Sequence, residues 1–224
     1  HKKDIPENGT MITTIVSTPL LDTIVKKNGK KSLRVLTGFK YIGEKIRQFE
    51  NKELDGTFLF GFEEAIGYLI GTHVRDKDAV VASMIIAEMA TTFENNGSSI
   101  YNEIMKIYEK YGWRLEITVP VTKKGKDGLE EIQKIMKSMR AKNHTEIAGI
   151  KVKEYRDYQK GIEGLPKADV IQMVLEDETY LTVRPSGTEP KIKFYISVAD
   201  SDRKVAENKL TKMEKEFVNY AENL

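Results

Sequence analysis

MITTIVSTPLLDTIVKKNGKKSLRVL, residues Met11 to Leu36, reads as strand, helix, strand. Met11 to Ser17 is rich in β-branched residues and reads as a buried strand. Thr18-Pro19 opens a short helix through Lys27, with a hydroxyl cap and a proline at the first helical position. Asn28-Gly29 closes that helix, and Ser32 to Leu36 is a second strand. Two apolar strands separated by one helix make a parallel crossover, so this stretch sets the fold class.

The rhythm continues downstream. Phe39, Ile42, Ile46 and Phe49 recur at a helical period, Thr57 to Phe60 is a third strand, and Asp76 or Asp78 caps a long apolar helix to about Phe93. Ser98 or Ser99 starts another helix through Tyr111. The expected domain is a mainly parallel sheet with helices on its faces, over residues 1–112. Gly112 breaks the pattern. Leu115 to Val121 alternates as a strand, and the helix after Lys126 sets Leu129, Ile132, Ile135, Met136 and Met139 on one face. Four strands follow: Ile150 to Tyr158, Val170 to Leu175, Tyr180 to Arg184 and Lys191 to Val198. A final helix runs from about Ser201 to Asn223, with Ala206, Leu210, Met213, Phe217 and Tyr220 inward. Residues 113–224 therefore read as a smaller α+β domain with an antiparallel sheet.

Composition narrows the function classes. Of 224 residues, 40% are hydrophobic and 31% charged, with a net charge of +2. That balance argues against a general nucleic-acid binder. With no cysteine, disulfide frameworks and thiolate metal sites are excluded. No apolar run is long enough to span a bilayer, and a cytoplasmic protein is expected.

Three stretches carry candidate chemistry. In the loop Arg184-Pro-Ser-Gly-Thr-Glu-Pro190, Arg184 offers a planar fork suited to phosphate, and Ser186 and Thr188 offer hydroxyls. Gly187 permits a positive φ that would turn backbone N–H groups into one concavity. Lys191 and Lys193 lie two residues apart on one face of the next strand. The residues leave two readings open, an anion cradle or an ordinary turn with solvated charges. Phe60-Gly-Phe-Glu-Glu-Ala-Ile-Gly-Tyr68 ends a strand in two acids, Glu63 and Glu64, where a parallel sheet faces its ligand crevice. They either accept hydrogen bonds from sugar hydroxyls or face water. Gly71 to Asp78 supplies His73, Arg75 and Lys77 before a helix N-terminus, and Lys40 lies at a strand end. Surface charge is the other reading for these.

Together these stretches resemble the α-D-phosphohexomutase family, which includes phosphoglucomutases and phosphomannomutases. "RPSGTEPK" resembles the family's phosphate-binding loop, "GFEEAIGY" its sugar-recognition loop, and "HVRDKDA" and "TGFK" match nearby active-site segments in order. The resemblance covers the family's third and fourth domains, the third a three-layer α/β domain and the fourth TATA-box-binding-protein-like. It implies an isomerase that passes a phosphoryl group from an enzyme phosphoserine to a sugar monophosphate, with a bisphosphorylated sugar as intermediate. Magnesium and a glucose 1,6-bisphosphate-type activator belong to that reaction. By resemblance, Glu63 reads sugar hydroxyls, with Glu64 a further substrate-binding candidate, Lys77 is a proton donor or phosphate contact, and Arg184, Ser186, Gly187 and Thr188 hold the non-reacting phosphate. Lys193, Lys40 and His73 complete the carry-over. Ala65 stands where many relatives have a serine.

Nothing in the chain resembles the family's Thr-Ala-Ser-His-Asn-Pro serine loop or its Asp-Gly-Asp-x-Asp-Arg metal loop. The chain also begins without methionine. It is expected to be the C-terminal half of a mutase, without metal ligands, inactive alone, and partnered by N-terminal domains of the same protein and by a phosphorylated sugar. The "GFEEAIGY" form disfavours mannose and leaves hexose and pentose open. A stand-alone phosphosugar-binding module is the rival from another class.

Overall fold

The computed structural model describes residues 5–123, 125, 127–162, 164–187 and 189–223. Contacts divide the chain into two compact units, His1–Tyr111 and Gly112–Leu224.

The first unit runs β1 (Gly9–Thr14), α1 (Leu20–Lys27), β2 (Lys31–Val35), α2 (Phe39–Glu50), β3 (Thr57–Glu63), β4 (Gly67–Ile70), α3 (Ala79–Asn95) and α4 (Ile100–Tyr111). Its sheet has the order β2-β1-β3-β4. β1 pairs in parallel with both β2 and β3, whereas β4 folds back antiparallel on β3. The α2 stripe buries as its period predicts, placing Phe39, Ile42, Ile46 and Phe49 against Ile12, Val35 and Leu69.

Several boundaries differ from the sequence expectation, each for a local reason. β1 ends at Thr14 rather than Ser17. There the Thr14 and Ser17 hydroxyls lie 2.8 Å apart and the Ser17 N–H donates to the Thr14 carbonyl, which turns the chain early. α1 starts at Leu20 with Pro19 as its cap, while Thr18 Oγ1 accepts from the Leu20 N–H at 3.2 Å. β4 was not anticipated, since its four residues merge into the preceding acidic turn. Of the two proposed caps for α3, Asp78 is the one used, accepting from the Val81 N–H at 3.0 Å. Ser99 caps α4 through the Asn102 N–H. The largest departure is α3 itself, a 17-residue apolar helix with no buried residue.

The second unit runs β5 (Trp113–Thr122), α5 (Asp127–Ala141), β6 (Glu146–Ile147), β7 (Ile150–Asp157), β8 (Ile171–Leu175), β9 (Tyr180–Pro185), β10 (Lys191–Asp200) and α6 (Arg203–Glu222). The strands lie in the order β5-β10-β9-β8-β7-β6, and every pair is antiparallel. Pro120 is tolerated because β5 is an edge strand. α5 and α6 pack on one face, where Phe194 meets Phe217 edge-on at 5.7 Å between ring centroids. Leu129, expected on the buried stripe of α5, is exposed. It sits in the first turn, beyond the patch filled by Ile132, Ile135, Met136 and Met139.

The other face of this sheet is polar and still closed. The Tyr158 hydroxyl and one Arg156 N–H donate to Gln172 Oε1, and Gln172 Nε2 donates to the Thr182 hydroxyl. Thr182 and Arg184 lie two residues apart in β9, so this hydrogen-bonded track leads along one face to Arg184.

Candidate functional site

In the first unit, three segments converge on the β3–β4 hairpin. Glu63 is the last residue of β3, pairs with Gly67 across the hairpin, and is only 8% exposed. Its Oε1 accepts from the Gly38 N–H at 2.6 Å. Gly38 is the cap residue of α2 and has no side chain to close the helix start, and α2 has no acid in its first turn. A strand residue 25 positions away supplies that carboxylate, where the helix dipole favours negative charge. Glu63 Oε2 has no hydrogen-bond partner among the described residues.

Lys77 comes to the same end of the sheet. A Cβ built on Gly67 would lie 2.7 Å from Lys77 Cδ, so the lysine stem runs directly over this glycine. The segment before α3 is pinned onto α2. The Arg75 guanidinium donates to both Glu50 oxygens at 2.6 and 2.7 Å, and the Arg75 carbonyl leaves no room for a Cβ at Gly43. Among the described residues the Lys77 ammonium has no polar partner. Lys40 lies in the first turn of α2 with its ammonium 4.8 Å from the Tyr41 ring centroid.

His73 and Glu64 have other attachments. His73 Nε2 lies 2.7 Å from Asp78 Oδ2. The Val81 N–H, then His73, hold the Asp78 carboxyl below its ordinary value. His73 thus braces the α3 cap. Glu64 Oε2 accepts from the Thr14 and Ser17 hydroxyls at 3.0 and 3.1 Å. That anchor fixes the hairpin turn, whose third residue, Ile66, adopts a left-handed φ of 54° with its side chain 85% exposed.

Sequence reasoning missed the supports of this site. Arg34, the fourth residue of β2, donates to the carbonyls of Thr14, Ser17 and Thr18 and to Asp22. It clamps the β1–α1 loop from which Thr14 and Ser17 reach Glu64. An arginine inside a strand was the available signal.

In the second unit, Arg184 of β9 and Lys193 of β10 are register partners across the hairpin. Both are half-buried, and neither side chain has a hydrogen bond or ion pair among the described residues. Like charges directly opposite one another oppose strand pairing. Lys191 differs, since Glu189 neutralises it at 3.0 Å. The hairpin neck is closed by the Ser186 N–H donating to the Lys191 carbonyl, and the Glu189 N–H reaches Ser186 Oγ. Gly187 is exposed and does not use the expected positive φ, because the neck closes without it. Thr188 lies outside the described residues.

The described residues contain no group of three or more acids or histidines able to hold a metal ion. No helix among them is long and apolar enough to cross a membrane.

Comparison with known proteins gives this geometry a family. The family model for the phosphoglucomutase/phosphomannomutase α/β/α domain III matches residues 1–108, and that for the C-terminal domain matches residues 116–210. A phosphoglucomutase of Staphylococcus aureus strain MRSA252 is 36% identical over 204 residues, covering 86% of this chain and 36% of that protein. The phosphoglucomutase of strain N315 is also 36% identical, over 202 residues. The chain thus spans about a third of the length of the curated relatives it matches. Among solved structures, Paramecium parafusin, a phosphoglucomutase in its open form, aligns over 95% of this chain and 38% of its own with a TM-score of 0.64 at 16% identity. A family protein of Burkholderia thailandensis aligns over 95% of this chain and 37% of its own with a TM-score of 0.57 at 12% identity. These two support the fold. With both domain models matched in order, the chain belongs to the phosphoglucomutase/phosphomannomutase family and carries its domain III and its C-terminal domain.

Proposed function

We propose that the full-length protein interconverts a sugar 1-phosphate and a sugar 6-phosphate, with this chain supplying two of the binding elements. The observation that carries the proposal is the Arg184–Lys193 pair, two facing cations without partners among the described residues. Such a pair is stabilised by an anion with several oxygens, and a phosphate bridges both. Ser186 and Gly187, with Thr188 by resemblance, would line the same loop and hold the phosphate that is not reacting. Glu63 would read sugar hydroxyls through Oε2, its Oε1 being fixed at the α2 start. The Lys77 stem crosses the same hairpin, and its ammonium, without a polar partner among the described residues, suits proton donation or phosphate contact. Lys40 adds positive charge nearby. Glu64 and His73 position the loops in this reading rather than touch the ligand.

Phosphoryl transfer relies on positioning and charge stabilisation. A phosphoserine and a magnesium site would come from outside this chain, and a glucose 1,6-bisphosphate-type intermediate would serve as activator. Residues 1–112 would form the sugar-recognition domain and 113–224 the phosphate-binding domain of a cytoplasmic enzyme. Glucose phosphates are the preferred substrates in this reading.

The test is turnover. Full-length protein supplied with magnesium and bisphosphate should convert glucose 1-phosphate faster than mannose 1-phosphate or ribose 1-phosphate, whereas the 224-residue chain alone should show none. Turnover by the chain alone, or none by the full-length protein with any of the three sugars, would overturn the proposal.

A further inference from the structure

Lys123, the residue after β5, makes contacts in three directions. Its N–H donates to the Pro190 carbonyl at 3.0 Å, one step past the last β5–β10 register pair, Thr122–Lys191. Pro190 ends the Arg184–Pro190 loop and has no N–H, so this carbonyl is its one backbone group for a hydrogen bond. The Lys123 carbonyl abuts the first turn of α5, where a Cβ built on Gly128 would lie 2.3 Å from it. The Lys123 ammonium reaches Glu222 at 2.8 Å and Glu131 at 3.7 Å.

Those carboxylates explain why a lysine stands here. Glu222 is the last residue of α6, and α6 has no basic residue in its last turn. The helix dipole disfavours a carboxylate at that end and favours a cation. Lys123 supplies the cation from another element. It lines a cleft of about 370 Å³ with Glu131, Lys134, Ile135 and Ser138 of α5 and with Glu222. Lys123 therefore joins the Arg184–Pro190 loop to both helices. The loop's other closure, the Ser186 N–H on the Lys191 carbonyl, lies within the hairpin.

We propose that Lys123 is a positioning residue for the Arg184–Pro190 loop: the helix carboxylates hold its ammonium, and its N–H fixes the limb that ends at Pro190. This rests on the reading of that loop as the phosphate grip. Lys123 acts through Pro190 and does not touch the phosphate. Displacing it frees the Pro190 carbonyl and loosens the loop, so the phosphate donors lose their common focus.

Backbone NMR and calorimetric titration of the 224-residue chain with glucose 6-phosphate test this. In Lys123→Met, the Ser186 and Glu189 amides should shift without ligand, and affinity should fall about three- to tenfold. The melting temperature should stay within about 2 °C, since a partly exposed ion pair contributes little. Lys123→Arg should restore the amides and the affinity, because the cleft admits a longer side chain that reaches the same carboxylates. Gly128→Ala leaves every charge in place and improves helix propensity, yet its methyl must push the Lys123 carbonyl. It should move the same amides and weaken binding.

A Lys123→Met chain that melts earlier, with both amides and the affinity unchanged, would overturn the proposal and leave Lys123 as a cap for α6. Failure of Lys123→Arg to restore the loop would overturn it too. Normal affinity in Lys123→Met beside lost affinity in Arg184→Ala would refute the positioning role and keep the phosphate reading. If the unmodified chain binds no glucose 6-phosphate, the phosphate reading fails, and the Ser186 and Glu189 shifts in the ligand-free variants alone decide the link to the helices.

Discussion

The two hairpins handle charge in opposite ways. At the β3–β4 hairpin, the carboxylates of Glu63 and Glu64 are held by donors before any ligand arrives, the Gly38 N–H for one and two hydroxyls for the other. At the β9–β10 hairpin, Arg184 and Lys193 face each other with no partner among the described residues. The first arrangement fixes a direction, leaving one Glu63 oxygen aimed by its fixed neighbour. The second sets two like charges opposite one another, a repulsion that a bound anion would relieve. Under the proposed function, the first hairpin would choose among hydroxyl patterns and gain from rigid acceptors, while the second would accept either end of a bisphosphate and need charge more than shape.

The strongest way to sharpen this contrast is Arg184→Ala. Phosphosugar affinity should fall by about 1.5–3 kcal/mol, roughly 10- to 100-fold, as expected for a lost charged hydrogen bond. The melting temperature should stay constant or rise, because a like-charge pair is removed. Calorimetric titration and thermal unfolding of the same variant read the two effects. A variant that melts earlier and binds normally would make Arg184 structural.

The opposite profile is expected at the supports of the first hairpin. Arg34→Ala strips donors from three loop carbonyls and should cost about 2 kcal/mol in a urea titration. Phosphate affinity of the second unit should be untouched. Ile66→Gly should raise stability by about 1 kcal/mol in the same assay, because a β-branched residue is relieved of a left-handed φ. Unchanged or lower stability would mean that the exposed isoleucine has a role in folding this chain.

A last effect separates the units by pH. His144 is buried between Tyr220 and the Met139 carbonyl, and desolvation pushes its pKa below the ordinary 6.5. Its contribution to stability is full above 6.5 and declines as pH falls toward the depressed folded value, since the unfolded chain binds the proton first. Thermal unfolding from pH 7.5 to 5 should show this decline, and His144→Gln should flatten it.

Where the fold was legible, one element carried the whole signal. The α2 stripe and the β8, β9 and β10 runs state their period in their own residues. Elements defined by distant partners were not legible. β4 has four residues and exists only by pairing with β3. The early end of β1 depends on a hydroxyl pair and on Arg34 from the neighbouring strand. At the candidate sites, Glu63, Arg184 and Lys193 are singled out by residue type and position in the sequence. The Gly38 bond that orients Glu63 spans 25 residues and leaves no local pattern. Gly187 shows the reverse failure, a glycine whose conformational freedom the hairpin does not use.

The central claim is that the β9–β10 hairpin grips phosphate. Backbone NMR of the 224-residue chain, titrated with glucose 6-phosphate and separately with glucose, tests it most directly. The expected result is a set of saturable shifts centred on Arg184, Ser186 and Lys193 with the phosphorylated sugar, none with glucose, and their loss in Arg184→Ala with Lys193→Ala. Identical spectra with and without glucose 6-phosphate, or equal shifts with glucose, would contradict it.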